Sequence, residues 1–261
     1  MSRLGAGASS IHFDIRPGAG AGVPLLMLGG IGASLQVLQP LVDAIDPSIE
    51  VVRIDPPGIG GSPARSIPYS MAELACELDQ LLDGLGYLEV DVMGFSWGGA
   101  LAQQFAWQHQ RRCRRLILVS SSSGAISVPG DPSALTRMLL PHRLSTAEEA
   151  QALLDGDVSL VSDLSQEITR NPVGYYHQLA AIAAWSSLPL LWMIRQSTLV
   201  ASGQEDRLVP VANAHLLTTM LPSATLALFP GGHGMIIASA AELARRISTF
   251  VTAPHVSSRA A

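Results

Sequence analysis

The 261-residue sequence predicts an α/β fold: a mostly parallel central sheet flanked by helices, with a helical block inserted after the fourth predicted strand. Three observations predict it. Short apolar runs alternate with segments of helical period over most of the chain, the pattern of parallel strands joined by helical crossovers. The runs are largely apolar, as strands covered on both faces require. Between Ser120 and about Leu190 the alternation stops, and Pro129, Pro132, Pro141, Pro172 and Pro189 punctuate a helix-like stretch with no convincing strand.

Each element has its own signal. Val23 to Leu28 reads as a buried strand ending in the tight loop Gly29-Gly30. Leu35 to Ile45 has helical spacing that Pro40 should kink or restart. Glu50 to Ile54 is a second strand, followed by the turn-rich Asp55-Pro-Pro-Gly-Ile-Gly-Gly-Ser62. Ser70 caps the next helix and Glu73 completes a capping box. Leu74, Leu78, Leu81 and Leu82 give that helix an apolar face, and Gly84 or Gly86 ends it. Glu89 to Met93 is a third strand, a helix follows to about His109, and Leu116 to Val119 is a fourth strand. Alternation resumes with strands at Thr198–Ala201 and Ala224–Phe229 and helices at Ala212–Met220 and Ala240–Val251. The expected organisation is a core of residues 1–120 and 191–261 carrying a helical lid, or cap, of residues 121–190.

Composition narrows the function classes. A net charge of −5 argues against nucleic acid as a general partner. The one basic cluster, Arg111, Arg112, Arg114 and Arg115, is expected at the exposed C-terminal end of a helix, where cations complement the dipole. Two cysteines, Cys76 and Cys113, are too few for a disulfide scaffold, and both are expected to pack as small apolar residues. No Cys–His spacing suggests zinc. The first residues lack the charged and then apolar run of a secretion signal, and the longest apolar stretch, Leu179 to Ile194, is too short and broken to span a bilayer. The expected compartment is the cytoplasm. The balance of 48% hydrophobic to 14% charged residues fits helices rich in Ala and Leu, or an apolar surface for a lipid-like substrate.

Gly94-Phe95-Ser96-Trp97-Gly98 matches G-x-S-x-G between a predicted strand and a predicted helix. A serine hydroxyl attacks a carbonyl only when a base takes its proton and the side chain stands clear of the backbone. A sharp strand-to-helix turn framed by small residues supplies that exposure, which makes Ser96 the candidate nucleophile of an α/β-hydrolase fold. In that fold the acid follows a later strand and the histidine comes last. Asp206 lies just past the strand Thr198–Ala201, with Glu205 as its neighbouring competitor. Of seven histidines, only His233, in Pro230-Gly-Gly-His-Gly234, follows the last predicted strand. His12 precedes the regular sheet; His109 ends a helix; His142 and His177 lie in the inserted block; His215 is within a helix; and His255 is in the tail. The run Ser120 to Ser123 lacks a glycine frame and is expected to line the site or cap the next segment.

The oxyanion of such a reaction needs two backbone donors. The Trp97 N–H, at the start of the helix, is one. The loop Gly29-Gly30-Ile31-Gly32 supplies the other, with Ile31 preferred over Gly30. This chemistry calls for no cofactor and no metal.

Ser96-Trp-Gly-Gly-Ala-Leu-Ala-Gln-Gln-Phe-Ala106, Asp55-Pro-Pro-Gly-Ile-Gly-Gly-Ser62, Gly174-Tyr-Tyr-His-Gln-Leu179 and Thr198 to Pro210 resemble the intracellular medium-chain-length poly(3-hydroxyalkanoate) depolymerases. The resemblance spans about Val23 to Phe250. It implies hydrolysis of polyesters of 3-hydroxy fatty acids, at or near the surface of cytoplasmic granules, with nucleophile, acid and base at Ser96, Asp206 and His233. Gly29 stands where the family carries Asn, and His177 where it tends to Trp, which bears on the natural ester more than on the chemistry. In the inserted block Tyr175, Tyr176, Trp185 and Trp192, with Met193 beside them, are candidates for substrate contact, with core packing as the alternative for each. Rival readings share the catalytic residues: a general carboxylesterase or lipase, and an acyltransferase or thioesterase. A ligand-binding or granule-coat protein on the same fold is the non-enzymatic rival. Dehalogenase chemistry needs a carboxylate at position 96, where this chain has serine.

Overall fold

The computed structural model describes residues 2–3, 11–20, 22–139 and 172–254. Eight strands form one sheet: β1 (Ser2–Arg3), β2 (His12–Arg16), β3 (Leu25–Leu28), β4 (Val51–Asp55), β5 (Val90–Phe95), β6 (Cys113–Val119), β7 (Ser197–Gly203) and β8 (Ala224–Phe229). Their order is β1-β2-β4-β3-β5-β6-β7-β8, antiparallel through β4 and parallel from there on. The central strands are buried on both faces, and alternate residues feed two cores. Leu25, Met27, Met93, Ile117 and Leu199 point to one, where α1 (Gln39–Ala44) packs with α7 (Met235–Ala238) and α8 (Ala240–Thr252). Leu26, Leu28, Val92, Leu116 and Val200 point to the other, against α2 (Met71–Leu85), α3 (Trp97–Gln108) and α6 (Val211–Met220).

Local chemistry sets the helix ends. The side chain of Ser70 accepts from the Glu73 N–H and the Glu73 carboxylate accepts from the Ser70 N–H, the reciprocal box expected there. Gly86 closes α2 in the left-handed region at φ 79°. Pro40 divides Leu35–Ile45 into a turn of 3-10 helix, Leu35–Leu38, and α1, because its ring is compatible only with the first turn.

Three expectations are corrected. His12 does not precede the sheet: it opens β2, whose register sets it opposite Asp55 at the end of β4. The arginine cluster is only in part an exposed helix end: Arg111, in the turn after α3, is exposed. Arg114 and Arg115 belong to β6; Arg114 Nε donates to the buried Asp91 at 2.8 Å, and both guanidinium groups donate to carbonyls at the end of α8. Burial pushes the Asp91 carboxyl up and Arg114 pulls it back, so the pair pins the last helix to the sheet. Cys113 is buried as expected, whereas Cys76 is exposed on α2.

The inserted block leaves and re-enters at a narrow neck. Residues 123–125 and 185–187 meet in an antiparallel bridge, Gly124 to Ser186, with Ala125 N–H on Trp185 O at 2.8 Å and Ser187 N–H on Ser123 O at 3.0 Å. Two adjacent buried glutamines of α3 hold this neck. Gln103 accepts from the Ser187 hydroxyl at 2.7 Å and donates to Ser122 O, and Gln104 accepts from the Trp185 indole at 2.8 Å. Beyond the neck stand α4 (Pro132–Leu139) and α5 (Pro172–Ala183). The part of the expected lid from 140 to 171 lies outside the described residues.

Candidate active site

Ser96 sits between β5 and α3 at φ 52° and ψ −116°, a backbone conformation that costs energy for any residue with a Cβ. The surroundings hold it there. Its N–H donates to Val119 O at 2.9 Å, and its carbonyl accepts from the Ser121 hydroxyl at 2.9 Å. The glycine frame has a steric cause: a Cβ on Gly94 would run into the Gly98 carbonyl, and one on Gly98 into the carbonyls of Leu28 and Gly29. The turn therefore closes only without side chains at 94 and 98.

Asp206 and His233 reach this turn from the loops after β7 and β8. His233 Nε2 lies 3.0 Å from Ser96 Oγ, and His233 Nδ1 lies 2.8 Å from Asp206 Oδ2. Both partners of the second contact are almost fully buried, with side-chain exposures of 3% and 0%. The other oxygen, Asp206 Oδ1, accepts from the N–H groups of Leu208 (3.0 Å) and Val209 (2.8 Å). Those two donors orient the carboxylate, and the carboxylate orients the imidazole with Nδ1 as donor and Nε2 facing the serine. The ring of Phe95 packs on His233 at a centroid distance of 5.1 Å. Glu205 is exposed in the same loop, turned away from this buried chain of contacts.

Ser96 opens into a cavity of about 420 Å³. Ile31 and Trp97, the residues expected to supply the oxyanion donors, line it together with the serine. Trp97 is the first residue of α3, where N–H groups have no partner within the helix. Gly30 is buried and does not line the cavity; a Cβ there would meet the Phe95 ring at 3.1 Å and Ser96 Cβ at 3.7 Å. Farther in, the walls are apolar: Leu135 and Met138 from α4, Leu179 and Ile182 from α5, and Leu208 and Val209 from the loop of Asp206. Of the Ser120–Ser123 run, Ser121 and Ser122 line the cavity.

The four aromatic candidates do not line it. Tyr175 is buried against the core and its hydroxyl donates to Met138 O at 2.8 Å, tying α5 to α4. Tyr176, next along the helix, faces outward at 47% exposure. Trp185 serves the neck through Gln104, and Trp192 lies 60% exposed on a turn of 3-10 helix with its indole on Pro189 O. Aliphatic side chains of α4 and α5 and the serine-rich strand exit form the walls instead, because these elements face the turn.

Two residues without a sequence signal are built into the site. Asn213, at the start of α6 and 1% exposed, accepts from Val128 N–H at 2.9 Å and donates to Val128 O at 2.8 Å. It clasps the cavity wall as a neighbouring strand would. Gln178, fully buried on α5, accepts from the Gly32 N–H at 2.7 Å, and its own carbonyl accepts from the Trp97 indole at 2.9 Å. A neutral amide inside an apolar helix gives no hint of partners 146 and 81 residues away.

Comparison with known proteins agrees with this architecture. Residues 23–158 match the family model of the alpha/beta hydrolase fold. A poly(3-hydroxyalkanoate) depolymerase from Ectopseudomonas oleovorans is 38% identical over 251 residues, which cover 93% of this chain and 89% of that protein. Among solved structures, a hydrolase from Pseudomonas aeruginosa PA01 superposes with a TM-score of 0.81 at 23% identity, covering 97% of this chain and 98% of its own. The enol-lactonase from Burkholderia xenovorans LB400 does so at 0.80 and 21% identity, over 94% and 97% of the two chains. At these identities the two structures share the fold.

Proposed function

This chain belongs to the α/β-hydrolase family, in the company of the poly(3-hydroxyalkanoate) depolymerases, and from that premise we propose that it hydrolyses ester bonds of medium-chain poly(3-hydroxyalkanoate) or its oligomers through an acyl-enzyme on Ser96. The observation that carries the reading is the relay from Asp206 Oδ2 through His233 to Ser96 Oγ, with contacts of 2.8 and 3.0 Å, at the mouth of an apolar cavity.

In this mechanism His233 Nε2 takes the Ser96 proton as Oγ attacks the ester carbonyl. The N–H groups of Trp97 and Ile31 hold the tetrahedral oxyanion, and Asp206 stabilises the imidazolium. His233 then gives the proton to the departing alcohol oxygen. Water attacks the acyl-enzyme, its proton passing to His233 and on to Ser96, and the 3-hydroxy acid leaves. No step needs a metal or a cofactor. Residues 121–190 act as a lid on a core of 1–120 and 191–261, and the aliphatic lining from α4 and α5 suits an acyl side chain and excludes water. The same reading sets the protein in the cytoplasm, at the surface of the polymer granule. Among the described residues no helix is long and apolar enough to cross a membrane.

The test pairs Ser96→Ala with substrate profiling. Wild type should clear a medium-chain polyhydroxyalkanoate suspension and hydrolyse p-nitrophenyl acyl esters; Ser96→Ala should fold and do neither. Rapid turnover of short esters with no polymer clearing would make it a general carboxylesterase. Full turnover by Ser96→Ala would remove the serine mechanism.

A further inference from the structure

Gln178, on α5, hydrogen-bonds next to both expected halves of the oxyanion site, once through its side chain and once through its backbone. Its Oε1 accepts from Gly32 N–H at 2.7 Å, immediately after Ile31, and its backbone carbonyl accepts from the Trp97 indole at 2.9 Å, immediately after Ser96. The bond to Gly32 holds the peptide plane between Ile31 and Gly32, next to the Gly30–Ile31 plane that carries the Ile31 N–H. A second contact closes the same loop: Ala33 N–H donates to Gly30 O at 3.2 Å. Gly32 itself sits at φ +69°, in the left-handed region that glycine adopts without a Cβ penalty.

The amide's orientation is fixed by its partner, since Gly32 presents a donor and only Oε1 can face it. That orientation leaves Gln178 Nε2 buried without a partner among the described residues. A buried unpaired donor destabilises a fold, and a Met or Leu here would avoid it. The Oε1 acceptor, on the Gly32 N–H, is the part of the amide that the oxyanion loop uses.

We propose that Gln178 is a positioning residue for the oxyanion hole: the inserted block, through this one amide, sets the loop whose Ile31 N–H meets the transition state. The proposal rests on the serine-hydrolase reading above. The hole is then complete only with α5 docked on the core, so lid placement and transition-state stabilisation are one event. Gln178 does not line the cavity, so its loss acts on the chemical step rather than on substrate binding.

The experiment measures kcat and KM for a p-nitrophenyl acyl ester, and Ki for an alkylboronic acid, which forms a tetrahedral adduct on the serine. Wild type, Ser96→Ala, Gln178→Met, Gln178→Ala and Gln178→Glu are compared. Met and Ala remove the acceptor; Glu, kept protonated by burial at mildly acidic pH, retains it. Loss of the acceptor should lower kcat by roughly ten- to a hundredfold, the scale of an ångström-level misplacement. KM should change little, the boronate Ki should rise in proportion to the loss in kcat, and Gln178→Glu should recover most of it. Unchanged kcat and Ki in folded Gln178→Met would overturn the proposal. So would failure of both Met and Ala variants to fold, which would make the residue structural. An inactive wild type, or an active Ser96→Ala, would instead sink the parent reading.

Discussion

His12 and Asp55 face each other much as His233 and Asp206 do, and each pair has a serine beside it. The Nδ1-to-carboxylate distances are 2.7 Å and 2.8 Å, and both carboxylates are buried and accept from two backbone N–H groups. Asp55 ends β4 and Asp206 follows β7, strands that run in the same direction, so both lie at the same end of the sheet. The serines differ. Ser62, 5% exposed, donates its hydroxyl proton to Asp55 O at 2.6 Å and accepts from His12 N–H at 2.8 Å. Ser96 instead points its hydroxyl at an imidazole nitrogen and lines a cavity. A Ser, a His and an Asp in contact are thus insufficient for nucleophilic catalysis. The hydroxyl proton must face a base, and the oxygen must face space where a carbonyl fits. The first set fastens the loop Asp55–Ser62 to β2; the second is built to react.

Substitution at matched positions sharpens the contrast. The largest effect is expected for Asp206→Asn, which keeps the shape but favours the wrong imidazole tautomer. Its kcat should fall by about 10⁴-fold with little change in melting temperature. Asp55→Asn should do the reverse. Losing one acceptor for the Leu35 or Gly61 N–H or the His12 ring costs about 1–3 kcal/mol in denaturant titration, while kcat of the folded fraction stays within a few-fold of wild type. Smallest is Ser62→Ala, expected to lose about 1 kcal/mol of stability and no turnover. A collapse of kcat in Ser62→Ala would break the distinction between the two sets.

Much of this was legible from sequence, and the exceptions share a cause. Strands β3 to β7 are readable because burial on both faces makes them largely apolar runs, and the edge strand β8 because Ala-Thr-Leu-Ala-Leu-Phe is apolar although mostly half-exposed. Ser96 carried a local motif, and Asp206 and His233 followed from chain order after strands. The strand His12–Arg16 has no such signal, because His-Phe-Asp-Ile-Arg pairs antiparallel beside β4 with only alternate residues apolar, and it follows a Gly- and Ala-rich start. Arg114 and Arg115 looked like a helix end because charged residues at the start of a buried strand need partners that lie at Asp91 and at the end of α8. Aromatics drew attention in the inserted block, whereas the aliphatic side chains of α4 and α5 line the cavity. Gln178, Asn213, Gln103 and Gln104 are neutral amides whose partners are distant in sequence, and no local pattern reports such contacts.

The most direct test treats the wild-type chain with an active-site phosphonate ester and maps the modified peptide by mass spectrometry. The account predicts stoichiometric modification of Ser96 alone, with loss of ester hydrolysis in step and no labelling of Ser62, whose proton is committed to a backbone carbonyl. Modification of Ser62, or full hydrolytic activity after Ser96 has been labelled, would contradict it.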